Sequence, residues 1–311
     1  VPRSRPKTWT TRDLLAWMTS AFEGKGLDAP RRMGEMLMAH VIGTERLRLY
    51  MDPDRPATPL ELDRLRDLVR RALEYEPIQY LVGEESFFGM TIKVDRRVLI
   101  PRPSTQTIVE EVLHHARSSL GARGRRGPDA GGGVLIADVC TGSGCVAAAL
   151  AKNLGGVRVV ASDLSEDALA CARENLERHA LLDRVELVRG DLLAPIDAHP
   201  AAGRPGALRY LVSNPPYIPD HEWDAVAPNV KDHEPTLALR AGAEGMDCIR
   251  PIIEHAPVLL APGGLLCVEC ASSHAPAVLG LARAHALIER ASIVKDSDGL
   301  DRVLVAQRAE D

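Results

Sequence analysis

Apolar residues between positions 8 and 82 recur at the spacing of helix faces. Leu14, Leu15, Met18 and Phe22 line one such face, and Thr10 with Asp13 ahead of them resembles a capping box. Gly24 and Gly26 end that helix. Asp28 and Pro30 can open a second, because proline suits a first turn, with Met33, Leu37, Met38 and Val41 on one side. A short helix is expected over 44–51. Pro59 begins another, with Leu62, Leu65, Leu68, Val69 and Leu73 inward and many charges outward. The pattern predicts a small all-α domain over residues 1–84. Nothing in it is catalytic, so it either packs on its neighbour or docks a partner.

The period changes at residue 87. Residues 87–100 are β-type around a turn and read as a hairpin linker. Pro101-Arg102-Pro103 follows, then a helix over 107–117 capped by Ser104 or Thr105. Linker and helix occupy residues 85–130, and the Gly, Arg, Pro, Asp and Ala of 121–133 read as a flexible surface loop. Over 131–311, strands are expected at 134–139, 157–161, 185–188, 210–212 and 265–270. Helices are expected at 146–152, 166–179, 249–260 and 274–284. Strand–helix alternation with glycine turns at strand ends predicts an α/β, doubly wound Rossmann-like sheet. The stretches 287–295 and 302–307 have no helix between them, which predicts an antiparallel C-terminal hairpin at one edge.

Composition narrows the class. The 311 residues are 45% hydrophobic, enough for a sizeable core over two domains. No apolar run approaches the ~18 residues needed to span a bilayer, and residues 1–5 do not open a signal peptide. A formal charge of −5 and a pI near 6.1 lack the basic footprint of a nucleic-acid binder. Cys267 and Cys270, in a CxxC spacing, lie in an expected strand that sends residues three apart to opposite faces. That suits neither a metal nor a disulfide. The six cysteines are read as buried reduced thiols, which implies a cytoplasmic protein.

The most informative stretch is Asn214-Pro215-Pro216-Tyr217, at the end of a short apolar strand. Two prolines stiffen the loop and leave carbonyls without neighbouring donors. Asn214 adds an acceptor, and Tyr217 adds a flat ring with a polar tip. Together they suit a planar NH2 group. An amide nitrogen is a poor nucleophile because its lone pair is delocalised, the same effect that resists C–N rotation by ~18–20 kcal/mol. Acceptors aimed at its hydrogens favour the nitrogen as it becomes positive in a transition state.

A ligand site is expected upstream. Gly142-Ser143-Gly144 sits where a strand turns into a helix, and Asp163 lies about 20 residues on, the usual place for an acid that holds ribose. With Ala147 the turn also fits a dinucleotide pattern, so NAD is a rival. Asp138 starts the turn and Asp191 ends the third strand, both at the carboxyl edge where ligands bind. The lesser alternative for Asp138 and Asp191 is that they are helix-capping carboxylates. No proton-transferring group for a dehydrogenase stands on this edge, and an S-adenosylmethionine donor beside a gripped amide accounts for more residues.

On these residues the chain resembles the peptide chain release factor glutamine methyltransferases of the HemK/PrmC type. The resemblance spans nearly the whole chain: the helical domain, the linker ending in Ile100-Pro101-Arg102-Pro103, the turn from Asp138 to Gly144, Asn214 to Tyr217, and the loop with Glu234-Pro235 and Ala238-Leu239. It implies a methyltransferase sheet with S-adenosylmethionine as donor. The implied acceptor is the glutamine of the Gly-Gly-Gln loop of class I release factors. By that resemblance Cys140, Thr141, Gly142, Ser143, Gly144 and Asp163 hold the donor, with Leu192 near the adenine. The Asn214 oxygen and the Pro215 carbonyl accept from the glutamine NH2, Pro216 and Tyr217 line its pocket, and the helical domain docks the release factor. The expected protein is a monomer without direct nucleic-acid contact. A ribosomal-protein glutamine, or a DNA or RNA amino group, is the alternative acceptor. Three positions depart from the family pattern: Cys140 where Gly is common, Gln106 where an acid is usual, and Cys270-Ala271 after Glu269 in place of Ile-Gly.

Overall fold

Thr10 and Asp13 form the capping box that their spacing predicts. In the computed structural model, which describes residues 8–122 and 133–310, each side chain accepts from the other's backbone amide at the start of α1 (Thr11–Lys25). The loop expected over 121–133 lies, apart from its ends, outside the described residues. Helix α2 (Pro30–Ile42) starts at its proline, but Asp28 does not cap it; the N-cap is Ala29, in the left-handed region with no side-chain bond. Thr58 and Glu61 repeat the capping box at α3 (Pro59–Leu73), and α4 (Ile78–Val82) follows. The stretch expected as a helix over 44–51 is a 3-10 turn, Arg46–Tyr50, a form that short segments adopt readily. Leu14, Met18, Phe22, Leu37, Leu65 and Val69 are buried together as the core of these helices.

By its internal contacts the chain forms two units, residues 8–84 with 227–233, and residues 85–226 with 234–310. The hairpin at their sequence boundary is shorter than its β-type residues suggested. Strands β1 (Glu84–Phe87) and β2 (Met90–Lys93) turn at Phe88 and Gly89, both at positive φ, as a tight hairpin requires. Residues 94–100 are not strand. There the Asp95 carboxylate accepts from the Arg97 amide at 3.0 Å and turns the chain. Neither Ser104 nor Thr105 caps the next helix, because Pro103–Thr105 is a 3-10 turn that runs directly into α5 (Gln106–Ala122).

The second unit is built on a seven-stranded sheet. It comprises β3 (Val134–Val139), β4 (Val157–Asp163), β5 (Val185–Arg189), β6 (Leu208–Ser213), β7 (Leu260–Glu269), β8 (Ile288–Lys295) and β9 (Asp301–Arg308). The order is β5-β4-β3-β6-β7-β9-β8. The first five pair in parallel, and β9 and β8 form the expected antiparallel hairpin. The connecting helices of this unit are α6 (Cys145–Asn153), α7 (Glu166–Arg178), α8 (Ala194–Asp197), α10 (Ile249–Leu259) and α11 (Ala275–Ala284), whereas α9 (Pro228–Lys231) belongs to the first unit; α8 and α9, a single turn each, fall where no element was expected. Strand β7 begins earlier than expected, and Pro262-Gly263-Gly264 is an irregularity inside it. Leu208 pairs Leu260 and Tyr210 pairs Leu265, so extra residues bulge where proline lacks a donor and Gly263 takes φ 66°. Ala137, Val139, Leu211, Ile252, Leu266 and Val268 are buried between sheet and helices. Among the described residues no helix is long and apolar enough to cross a membrane.

One buried side chain ties three elements. Asn175 of α7 is 0% exposed. Its Oδ1 accepts from the Lys93 amide at 2.7 Å, and its Nδ2 donates to the Lys93 and Ser143 carbonyls at 3.0 and 2.9 Å. It therefore pins the end of β2 and the glycine turn to one helix. Asn175→Ala strands these groups away from water and is expected to cost about 2–3 kcal/mol. Urea denaturation should show a lower midpoint at unchanged slope.

Candidate active site

The chain reverses its direction of travel across the sheet between β3 and β6, which are paired neighbours. Ligand crevices form at the carboxyl ends of strands around such a point. Here the loops after β3, β4, β5 and β6 border an open cleft of about 1040 Å3. Of the residues expected to form the site, Asp138, Cys140, Thr141, Gly142, Ser143, Asp163, Asp191, Leu192, Asn214 and Pro216 line it. Gly144, Pro215 and Tyr217 are not among the lining residues. Gly144 caps α6 at φ 76°, where a Cβ would stand 3.1 Å from the Ala172 Cβ, so its smallness serves helix packing. Pro215 is buried. Tyr217 packs against the core of the sheet, and its hydroxyl donates to Glu269 Oε1 at 3.4 Å.

The glycine turn is held by carboxylates. Buried Asp138 Oδ2 accepts from the Thr141 hydroxyl at 2.7 Å and the Ala147 amide at 3.1 Å. Asp163 accepts from the Gly142 amide at 2.8 Å through Oδ2 and from the Ser165 amide at 2.9 Å through Oδ1. Both carboxyls are pushed up by burial, Asp138 to about 7. Cys140 and Leu192 take φ 60° and 45° without being glycine, conformations that need outside support. Beside Asp163, the buried Ser162 hydroxyl has no partner among the described residues. Three thiols also line the cleft, those of Cys140, Cys145 and Cys248, and burial raises all of them, Cys145 to about 12.

Asn214 follows β6 directly, and its Nδ2 donates to Thr105 Oγ1 at 3.0 Å. The amide nitrogen is thereby committed and Oδ1 is left as the free acceptor. Thr105 lines the cleft, as do Val98, Pro101, Leu164, Pro235 and Leu237, none of which was assigned a role from the sequence. The signals were the Ile-Pro-Arg-Pro and Glu-Pro stretches. Their chemistry is now visible: Glu234, buried, accepts from the Ile100 amide at 3.1 Å and from Arg102 Nη2 at 2.6 Å. That joins linker and loop into one wall.

An Asp in an unfolded chain ionises near ~4. Between that value and about 7 the folded protein keeps a proton on Asp138 that the unfolded chain has lost. The contribution of this group is thus fully present below pH ~4 and lost as pH rises toward 7. Asp138→Asn keeps an acceptor oxygen without the titration. Its unfolding free energy should fall less than that of the wild type between pH 4 and 7; an equal fall would show that Asp138 is ionised throughout.

Two family descriptions match the chain, the PrmC N-terminal domain over residues 13–83 and a methyltransferase domain over residues 136–233. The release factor glutamine methyltransferase of Chlorobaculum tepidum is 42% identical, covering 96% of this chain and 97% of its own. That of Geobacter sulfurreducens is 38% identical over 96% and 97%, and that of Rhodopirellula baltica 34% over 98% and 99%. Among solved structures, the catalytic domain of hMettl16 in complex with MAT2A 3'UTR hairpin 6 is 14% identical, with a TM-score of 0.51 over 82% of this chain and 84% of that one; the likeness is one of fold. With relatives this similar along nearly their whole length, and a methyltransferase domain on the sheet that carries the cleft, the chain belongs to the release factor glutamine methyltransferase family of enzymes.

Proposed function

We propose that this enzyme moves a methyl group from S-adenosylmethionine to the side-chain amide of the glutamine in the Gly-Gly-Gln motif of class I release factors. One observation carries the reading: the Asp-held glycine turn and, from the following turn, Asn214 and Pro216 line a single cleft. The cleft residues fit the donor. Asp163 accepts from backbone amides, Gly142 through Oδ2 and Ser165 through Oδ1, and two carboxyl oxygens have further lone pairs to offer a ribose hydroxyl; the Ser162 hydroxyl, without a partner among the described residues, is its neighbour. Val98, Leu164 and Leu192 offer apolar surface to a purine. Asp163 and Asp191 line the cleft, whereas Arg97, which also lines it, is paired with Asp95 and Glu174. Such a balance favours a cationic sulfonium over the pyrophosphate of NAD.

The bound donor supplies a methyl group on positively charged sulfur, open to in-line attack. The protein's part is to grip the glutamine. Asn214 Oδ1 and the Pro215 carbonyl accept from its NH2, and these bonds strengthen as the nitrogen loses planarity and gains positive charge. As the nitrogen gains the methyl, the S–CH3 bond breaks to leave a neutral thioether, and the strongly acidic protonated amide sheds one proton to water. No strong base is therefore needed, and placement of the two reactants supplies most of the acceleration. Pro216 forms part of the wall around the acceptor, and Tyr217, its hydroxyl held by Glu269, braces the turn. The helical N-terminal unit, as a domain over residues 1–84, docks the release factor, and the monomer suffices.

Labelled donor incubated with purified release factors and ribosomal subunits, followed by peptide mapping, is expected to place the label on the Gly-Gly-Gln glutamine. Label on a ribosomal protein or on RNA instead would overturn the substrate assignment. Asn214→Ala should lower kcat about 10²–10³-fold while the donor still binds. Asp163→Ala should weaken donor affinity about tenfold or more in calorimetry; unchanged affinity would remove Asp163 from the donor site.

A further inference from the structure

We infer that Thr105 is a positioning residue for methyl transfer, its hydroxyl taking the Asn214 NH2 so that Asn214 presents its oxygen to the acceptor; this rests on the methyl-transfer reading above. Thr105 borders the cleft and is 2% exposed, and Asn214 beside it is half-buried. Thr105 Oγ1 accepts from Asn214 Nδ2 at 3.0 Å. The turn that carries Thr105, Pro103–Thr105, is itself fixed by three bonds. The Thr105 amide donates to the Arg102 carbonyl at 3.1 Å, Arg102 Nη2 donates to buried Glu234 at 2.6 Å, and the Ser104 hydroxyl donates to Glu269 Oε1 at 3.1 Å. Proline at the first position of the turn sets φ, and a β-branched side chain is restricted at χ1. The hydroxyl is therefore a fixed point against which a rotatable amide can be set.

The Asn214 amide needs such a point. The torsion that turns its plane is broad and close to two-fold, and its two ends are alike in shape but opposite in chemistry. An asparagine that offers its oxygen to a glutamine NH2 must lodge its own NH2 elsewhere. A donor buried without an acceptor gives up its water for nothing, so without a partner there the productive orientation would be the costly one. Reversed, the amide would meet the substrate donor against donor. Thr105 supplies the acceptor that the productive orientation requires. Valine has nearly the shape of threonine and offers no acceptor, so at position 105 it would strand the Asn214 NH2.

The test compares Thr105→Val, Thr105→Ser and the double variant Thr105→Val with Asn214→Ala by steady-state kinetics with a release factor as acceptor. Thr105→Val should lower kcat about 10–100-fold, with KM for the release factor and donor affinity held within about threefold. Thr105→Ser keeps the hydroxyl on a less restricted side chain and should return kcat to within about fivefold of wild type. Because Thr105 acts through Asn214, the double variant should be no slower than Asn214→Ala beyond about threefold. An unchanged kcat in Thr105→Val, a serine variant as slow as the valine one, or losses that multiply in the double variant would overturn the inference. So would an equal loss of donor binding in Thr105→Val, the mark of a merely structural role. If Thr105→Val does not fold, Thr105→Ala carries the same expectations. Should wild-type protein fail to methylate release factors, the proposed function fails separately. The positioning role is then judged from the Asn214 side-chain amide resonances, assigned by their absence in Asn214→Asp. Shifted, faster-exchanging protons in Thr105→Val support it, and unaltered ones refute it.

Discussion

Val139 and Ser213 stand opposite each other at the ends of β3 and β6, and the Ser213 hydroxyl donates to the Val139 carbonyl at 2.7 Å. The cleft depends on this pairing. Because the strands are parallel, both chains leave the sheet on the same side. The turn that begins at Cys140 and the turn that begins at Asn214 therefore start as neighbours. The next pairing, Ser213 with Val268, brings the end of β7 alongside. A slip of one residue in either ladder would swap faces along the whole strand. The buried apolar residues of β3, β6 and β7 hold the register that the polar turns need.

Within that frame the turns are rigid for different reasons. Proline stiffens one. The other contains a non-glycine residue at positive φ, Cys140, a conformation worth about 1–3 kcal/mol of strain. The Thr141 amide donates to the Ser162 carbonyl at 2.9 Å and the Gly142 amide to Asp163, so β4 over-determines the loop. The glycine common at this position in the family now has a physical reason, and this chain meets the same backbone demand with cysteine.

Much of this was legible from the sequence. The alternation of strands and helices, the capping box at Thr10, and the acids at strand ends all follow from local patterns. What sequence could not show depends on long-range bonds. Ser104 and Thr105 look like helix caps, because short hydroxyl residues before a helix usually are. Instead their hydroxyls bond to Glu269 and Asn214, far along the chain. Glu234 is legible only as part of a Glu-Pro stretch, and its burial against Arg102 and the Ile100 amide is a contact between distant segments. Gly144 reads as part of a phosphate-type turn, and its close approach to Ala172 becomes visible only when α6 and α7 pack.

The three thiols of the cleft carry a last implication. An activated methyl group is an alkylating agent, and sulfur is the softest nucleophile a protein can offer it. Reactivity of this kind belongs to the thiolate. Burial of Cys140, Cys145 and Cys248 holds them in the protonated form at neutral pH. The walls that keep these three sulfurs protonated thus also keep the enzyme from modifying itself, a protection built into the site by burial alone.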